Sequence, residues 1–327
     1  MATRIIGDLH TRKEEPFKSA VKYVFKQLEL AESEEEGSII QLGDFFNSKK
    51  PFPGDYEFAM SRLATLAEKN KIYIMAGNNA HEYHFIQKTW AIDPLILDNV
   101  ELIKFPICKV IENKTYLFLP WIPQEVAESY KAVSIEDLYS NIGKFITLPE
   151  KIDYVLYHIE DETVFMGGVN HGIDLTYLEK AYPNIKRIGG HIHLQSENYL
   201  GTPYQTRYDE KGQIPHYLLI DGDEETYQEL NLYFKYIDID YEDELDESWD
   251  CVLLTVKNAP SVQAAYDKFT DPVKKIYFRD VQLKIGEQRE TTMDMEEKDS
   301  SVKELMVEYL AINKVDDKTS KYLLKLF

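Results

Sequence analysis

Seven residues of ligand type stand just after short apolar runs in this chain: Asp8, His10, Asp44, Asn78, His158, His191 and His193. The last two lie in I-K-R-I-G-G-H-I-H-L, residues 185–194. In extended backbone, residues i and i+2 project to one side, so two imidazoles at that spacing face one point. Imidazole suits zinc, manganese or iron. Gly189 and Gly190 let the backbone approach that point closely. The opening T-R-I-I-G-D-L-H repeats the geometry with Asp8 and His10, one oxygen ligand and one nitrogen ligand. A lone His158 after Y-V-L-Y would read as a buried core residue. Seven such residues at successive strand exits read as one metal centre.

The elements that must position them follow from periodicity. Residues 5–6 make a short strand. Apolar residues at Ala20, Val21, Val24, Phe25 and Leu28 give helical spacing over 17–30. An acidic run at 34–36 reads as a solvated turn. A second strand, 39–42, exits into Gly43, Asp44, Phe45, Phe46 and Asn47. Pro51, Pro53 and Gly54 make a loop, and a helix is expected over 56–69. A third strand, 72–75, exits into A-G-N-N-A-H-E. Three strand–loop–helix units in succession argue for a layered fold of the βαβ type. Ligands in such folds gather at the carboxyl ends of the strands. Further strands at 116–121 and 154–157, with a helix between them, deliver His158.

D-x-H, G-D, G-N, a lone His after a strand and G-H-x-H, in that order, resemble the calcineurin-like metallophosphoesterases. G-D-F-F-N-S-K-K-P-F-P-G is similar to the second motif of the SbcD-type DNA double-strand-break repair nucleases, and G-T-P-Y-Q at 201–205 lies where that family starts a strand. The resemblance spans roughly residues 3–225, with loose motifs that look like the branch carried by large tailed phages. It implies a four-layer α/β/β/α sandwich and two divalent metals about 3.5–4 Å apart, manganese foremost and magnesium as the alternative. Asp8, His10, Asp44 and His193 would hold one metal. Asp44, Asn78, His158 and His191 would hold the other, with Asp44 as the bridge.

Two departures from that pattern matter. The family's third motif is G-N-H followed by an acid, and its His contacts the scissile phosphate or protonates the leaving oxygen. Here Asn79 and Ala80 occupy those positions. Asn donates a hydrogen bond but cannot act as a general acid. A second His that often follows the G-D motif is replaced by Asn47. Three explanations stand: a change that disables hydrolysis while keeping the metals, His81 taking over the role, or a naturally weak nuclease. Asn79, His81 and Asn47 are therefore the catalytic candidates.

Beyond Asp221 the composition shifts. Residues 221–229 read as an acidic turn, 234–241 as a half-buried strand, 242–250 as an acidic linker and 251–256 as a strand. A helix over 261–269 with Ser261 as its cap and a strand over 275–285 complete an α+β block, 226–286. By resemblance this block caps the active site of the 1–225 domain. Residues 287–300 read as a flexible linker. Two short apolar helical stripes in 301–327 cannot bury their faces alone. In the family this region grips an SMC-like ABC ATPase.

The 327 residues suffice for a main domain and a smaller one. No apolar run approaches the ~20 residues that span a bilayer, and no signal peptide precedes the first strand. Cys108 and Cys251, the only cysteines, read as core residues of a reducing compartment, hence a cytoplasmic protein. The net charge of −20 argues against tight autonomous DNA binding, because phosphate contacts need clustered Lys and Arg. Affinity for duplex ends is then expected to come from the ATPase and from homodimerisation, which the family achieves through helices corresponding to 56–69 and 84–97. The function expected is a metal-dependent DNA exonuclease or endonuclease subunit acting in recombination and repair. The alternatives are a phosphomonoesterase or cyclic-nucleotide phosphodiesterase on the same scaffold, and a non-catalytic scaffold for the ATPase.

Overall fold

The computed structural model describes residues 1–30, 37–166, 169–170, 172–245, 249–271 and 273–284. The chain is a mixed α/β fold with several sheets and few helices. In chain order it runs β1 (Ala2–Ile6), α1 (Phe17–Leu30), β2 (Gly37–Gln41), α2 (Pro53–Ala67), β3 (Asn70–Met75), β4 (Tyr83–His84), β5 (Thr89–Trp90), β6 (Val100–Ile103), β7 (Ile107–Ile111) and β8 (Lys114–Leu119). There follow α3 (Gln124–Ser129), α4 (Ile135–Ser140), β9 (Tyr154–Tyr157), β10 (Phe165–Met166), β11 (Val169–Asn170), α5 (Thr176–Ala181), β12 (Lys186–Gly189), β13 (His216–Asp221) and β14 (Glu224–Glu229). The last elements are β15 (Lys235–Asp240), β16 (Cys251–Ala259), α6 (Val262–Phe269) and β17 (Lys275–Leu283).

Two sheets matter for the site. One has the order β14-β13-β1-β2-β3-β6, the other β12-β9-β8-β7. In the first, β1, β2, β3 and β6 are parallel neighbours, so their exits lie at one edge. In the second, β8, β9 and β12 are parallel. Ile5, Ile40, Leu42 and Met75 from the first sheet share one buried cluster with Tyr116, Phe118, Leu156 and Ile188 from the second. Another cluster joins the first sheet to α1 and α2 through Val21, Phe25, Leu63, Ile39 and Ile72. A third joins the second sheet to Ala127, Leu138 and Leu178 of the short helices α3, α4 and α5. The strands that face apolar residues on both sides are those without alternation: β2 and β9 are buried at every position.

The helices start where local chemistry lets them. α1 buries Ala20, Val21, Val24, Phe25 and Leu28, the expected stripe. α2 begins at Pro53, inside what the sequence suggested was loop, because proline is suited to the first helical position. The Asp55 carboxylate then accepts the Phe52 N–H at 2.9 Å. Ser261 caps α6, its hydroxyl accepting the Ala264 N–H at 3.0 Å.

Three expectations need correction. Residues 84–97 are not a helix: β4 and β5 pair antiparallel, and turns follow. Asp93 accepts the Trp90 N–H at 2.8 Å and Lys104 at 2.7 Å, and Pro94 after it disfavours helical backbone at Asp93. Residues 221–229 are not a turn but a hairpin, β13 against β14, bending at Gly222 with φ +59°. Acidic residues are tolerated in β14 because it is an edge strand. The boundary at 225 therefore falls within a strand.

The strands β15, β16 and β17 form a separate parallel sheet. Its one side has its own core of Ile239, Leu254, Val256, Ala265 and Phe269. Phe234, Tyr236, Cys251 and Leu253 join the cluster that contains α1. Met1–Leu283 form one compact unit. The expected linker at 287–300 and the helical tail at 301–327 lie outside the described residues, as does the acidic run at 34–36. No helix among the described residues is long and apolar enough to cross a membrane.

Candidate metal centre

Five strand exits converge. The backbone continues the sheets for a residue or two: Leu42 N–H donates to Ile6 O at 3.0 Å, His158 N–H to Leu119 O at 3.1 Å and Gly190 N–H to Tyr157 O at 2.8 Å. Each chain then bends sharply. His10, Asp44 and His191 all have left-handed backbone, with φ of 44°, 48° and 75°. Non-glycine residues seldom adopt that region, and they do so at sites where the surroundings impose it. Three of the seven expected ligands thus sit in strained backbone.

Close approach explains the glycines. A Cβ on Gly77 would lie 2.1 Å from Asp44 Oδ1 and 2.2 Å from its backbone nitrogen. At Gly43, whose φ is +109°, a Cβ would lie 2.3 Å from His158 Nδ1. No other residue type leaves room for these carboxylate and imidazole groups.

The side chains form three overlapping groups whose ligand atoms lie within 4.8 Å of one another: Asp8, His10 and His193; His10, Asp44 and His81; Asp44, His158 and His191. The Nε2 atoms of His10 and His193 are 2.9 Å apart. Two nitrogens each about 2.1 Å from one ion at a right angle would lie about 3 Å apart. His158 donates from Nδ1 to Leu42 O at 2.7 Å, which leaves Nε2 facing Asp44 Oδ1 at 3.3 Å. Asp44 shares two of the groups and is 1% exposed.

A metal is the partner these atoms fit. Asp8 Oδ1 and His158 Nε2 are buried without a hydrogen bond, a costly arrangement for polar atoms unless a ligand completes it. The mixed oxygen and imidazole set suits manganese, iron or zinc.

Asn78 is brought to the centre with its amide nitrogen inward. Nδ2 donates to Asp44 Oδ2 at 2.8 Å and lies 3.2 Å from His191 Nδ1, while Oδ1 accepts the Ala80 N–H at 2.8 Å. In this orientation Asn78 holds Asp44 in place. To serve as an oxygen ligand it would have to turn over and release Ala80. Its backbone N–H also donates to Asp44 Oδ1 at 2.9 Å.

The three catalytic candidates separate. His81 reaches the centre: its ring packs edge-on against His10, with centroids 4.5 Å apart, and its Nδ1 lies 3.0 Å from Asn47 O. That contact leaves Nε2 free. Asn79 is exposed and lines the cavity over the metal groups, as does Ala80. Asn47 contributes its carbonyl to His81, and its side chain does not line the cavity.

The cavity measures about 910 Å³ and is walled by Trp121, Ile135, Ile159 and Ile173 as well as by Asp44, His158, His191 and His193. Glu136, Glu160 and Arg207 are its other charged residues. Among the described residues, none of its lining comes from 235–283.

Sequence reasoning missed a supporting tier. Glu210 is 1% exposed and accepts from His193 Nδ1 at 2.6 Å, from Thr206 N–H at 2.6 Å and from Thr206 Oγ1 at 2.7 Å. A carboxylate on the far nitrogen fixes an imidazole's tautomer and raises its basicity as a ligand. Glu82 is fully buried and ties two exits together, accepting from Phe45 N–H at 2.5 Å, Phe46 N–H at 3.3 Å and Gly77 N–H at 2.6 Å. The signal was present as an acid one residue after His81 and an acid following G-T-P-Y-Q, but an isolated Glu in a loop gives no hint of burial.

Electrostatics mark the centre as one titrating unit. Burial pushes Asp8 up to about 7, with the Asp44 charge adding to it against His158 and His193. Burial opposes ionisation of Asp44 too, but His158, His10 and His81 outweigh it and hold Asp44 below the ordinary carboxylate range. Burial likewise works against the His158 imidazolium, yet Asp44 and Asp8 raise it to about 10. His191 is pushed down to about 4 by burial and by His158. Glu82 rises to about 8 through burial and the Asp44 charge.

No known family profile matches this chain, and no curated protein matches it.

Proposed function

We propose that the chain is a two-metal phosphodiesterase, a DNA nuclease subunit with the four-layer α/β/β/α architecture of the metallophosphoesterases. The observation that carries this reading is the sharing of Asp44 and His10 among three ligand groups at the carboxyl ends of parallel strands. A shared buried carboxylate between two imidazole-rich groups suits a pair of divalent cations. Asp8, His10, Asp44 and His193 would hold one, and Asp44, His158 and His191 the other, manganese or magnesium in each case. Bound there, the cations supply Lewis acidity that activates water and neutralises charge on phosphoryl oxygens. The four layers are supported by the three apolar clusters, one between the sheets and one under each set of helices.

His81 supports a working enzyme over a disabled one. It stands at the metal groups with Nε2 free, where the family's motif would place a histidine two residues earlier. Its role would be to bind the phosphoryl group or protonate the leaving oxygen. Duplex DNA ends as substrate, an SMC-like ATPase as partner through 301–327, a homodimer and a cytoplasmic setting carry over from the motif resemblance alone. A dimer of this chain would use α2 without a second helix at 84–97. The test is hydrolysis of bis(p-nitrophenyl) phosphate with manganese, by this chain and by His81→Ala, at equal metal content. The reading predicts turnover lost on the substitution; turnover by neither protein contradicts it.

A further inference from the structure

We infer that Arg207 binds the substrate's scissile phosphate, an assignment that rests on the phosphodiesterase reading above. Among the described residues lining the metal cavity, Arg207 is the one arginine or lysine. Three other lining residues are carboxylates: Asp44, Glu136 and Glu160. In a chain of net charge −20, an anion entering this cavity is repelled by those three carboxylates, and Arg207 is the fixed positive charge that offsets them.

The mounting of Arg207 is rigid while its head is exposed. The preceding residue, Thr206, is 5% exposed; its N–H and hydroxyl are held by Glu210, and its Oγ1 lies 3.1 Å from His193 Nδ1. The Thr206 carbonyl accepts from Arg12 Nη2 at 3.0 Å, and the Arg12 guanidinium stacks on Phe17 at 3.4 Å. The same short segment therefore fixes a metal-binding imidazole and presents a guanidinium beside it. Arg207 has no carboxylate partner among the described residues. An unpaired guanidinium on a fixed backbone is a fork for two phosphoryl oxygens. Arg207 lines the same cavity as His193, and its charge acts on His10, so the phosphate it reaches is the one at the metals.

The experiment is calorimetric titration of inorganic phosphate into the manganese-loaded full chain, alongside kinetics with bis(p-nitrophenyl) phosphate, a diester with no flanking phosphate. The variants are Arg207→Ala, Arg207→Lys and Arg207→Gln, each checked for metal content and thermal unfolding. The inference predicts phosphate affinity at least tenfold weaker in Arg207→Ala and Arg207→Gln, with partial recovery in Arg207→Lys. The kcat/KM for the small diester should fall about 10–100-fold in the same order. Unchanged phosphate binding, or no phosphate binding by the loaded chain, overturns it. So does a kinetic loss confined to DNA substrates, since that places Arg207 on a flanking phosphate. Phosphate binding that depends on Arg207 in a chain that hydrolyses nothing upholds the inference while removing the nuclease reading.

Discussion

His193 Nδ1 lies 2.6 Å from Glu210 Oε1, and Glu210 is itself 1% exposed and held by Thr206. The pair leaves Nε2 of His193 facing Nε2 of His10. Removing the carboxylate frees the imidazole to rotate and lowers its basicity. Glu210→Ala should weaken manganese binding about 10–100-fold, read by calorimetric titration. A smaller effect is expected from Glu210→Gln, whose oxygen still accepts one hydrogen bond.

His81 separates binding from chemistry. His81→Ala should lower kcat for phosphodiester hydrolysis by about 10²–10⁴, the usual worth of acid–base assistance, with metal content intact. In the same background Asn79→His should recover part of the rate, because Asn79 also lines the cavity. Steady-state kinetics on the single and double substitutions check both statements.

Glu82 is a structural knot rather than a ligand. Its carboxylate satisfies the N–H groups of Phe45, Phe46 and Gly77 in a fully buried place. Glu82→Ala strands three buried donors, each costing about 1–3 kcal/mol. The expected loss of stability is roughly 3 kcal/mol or more, measurable by urea denaturation. Metal binding should weaken as well, since the loops carrying Asp44 and Asn78 lose their tie.

The pH dependence has a definite sign. Asp8 at about 7, Glu82 at about 8 and His158 at about 10 are all raised. Each contributes stability that is complete below its ordinary range and lost as pH climbs to the raised value. His10 and His191 are lowered, and their contribution is lost as pH falls below about 6.5. Between pH 6.5 and 8 only the first group changes, so metal-free protein should melt at a lower temperature at pH 8. Manganese displaces the protons on Asp8 and His158, so its affinity should rise over the same interval. Thermal melts with a chelator or with manganese, at both pH values, check the pair of trends.

Much of this was legible in the order of residues. Strand exits ending in Asp8, Asp44, Asn78 and His191 could be read because apolar runs stop at glycines there, and the exit at His158 because it directly follows the apolar run Y-V-L-Y. The stripe of α1 was legible because five apolar side chains recur at helical spacing. What escaped depended on contacts distant in sequence. Nothing local marks Glu210 as the partner of His193, 17 residues away, or the left-handed backbone at His10 and Asp44. The helix expected over 84–97 failed because Asp93 and Pro94 outweigh the apolar residues around them. The inward amide nitrogen of Asn78 was invisible because its orientation is set by contacts of the folded chain, the Ala80 N–H on Oδ1 and Asp44 Oδ2 on Nδ2.

The most direct test is degradation of a linear DNA duplex by the manganese-loaded chain beside Asp44→Ala. The account predicts two metals per chain and nucleotide release by the first protein, with both lost in the second. A chain that holds two manganese ions yet leaves duplex DNA and the small diester intact would contradict it.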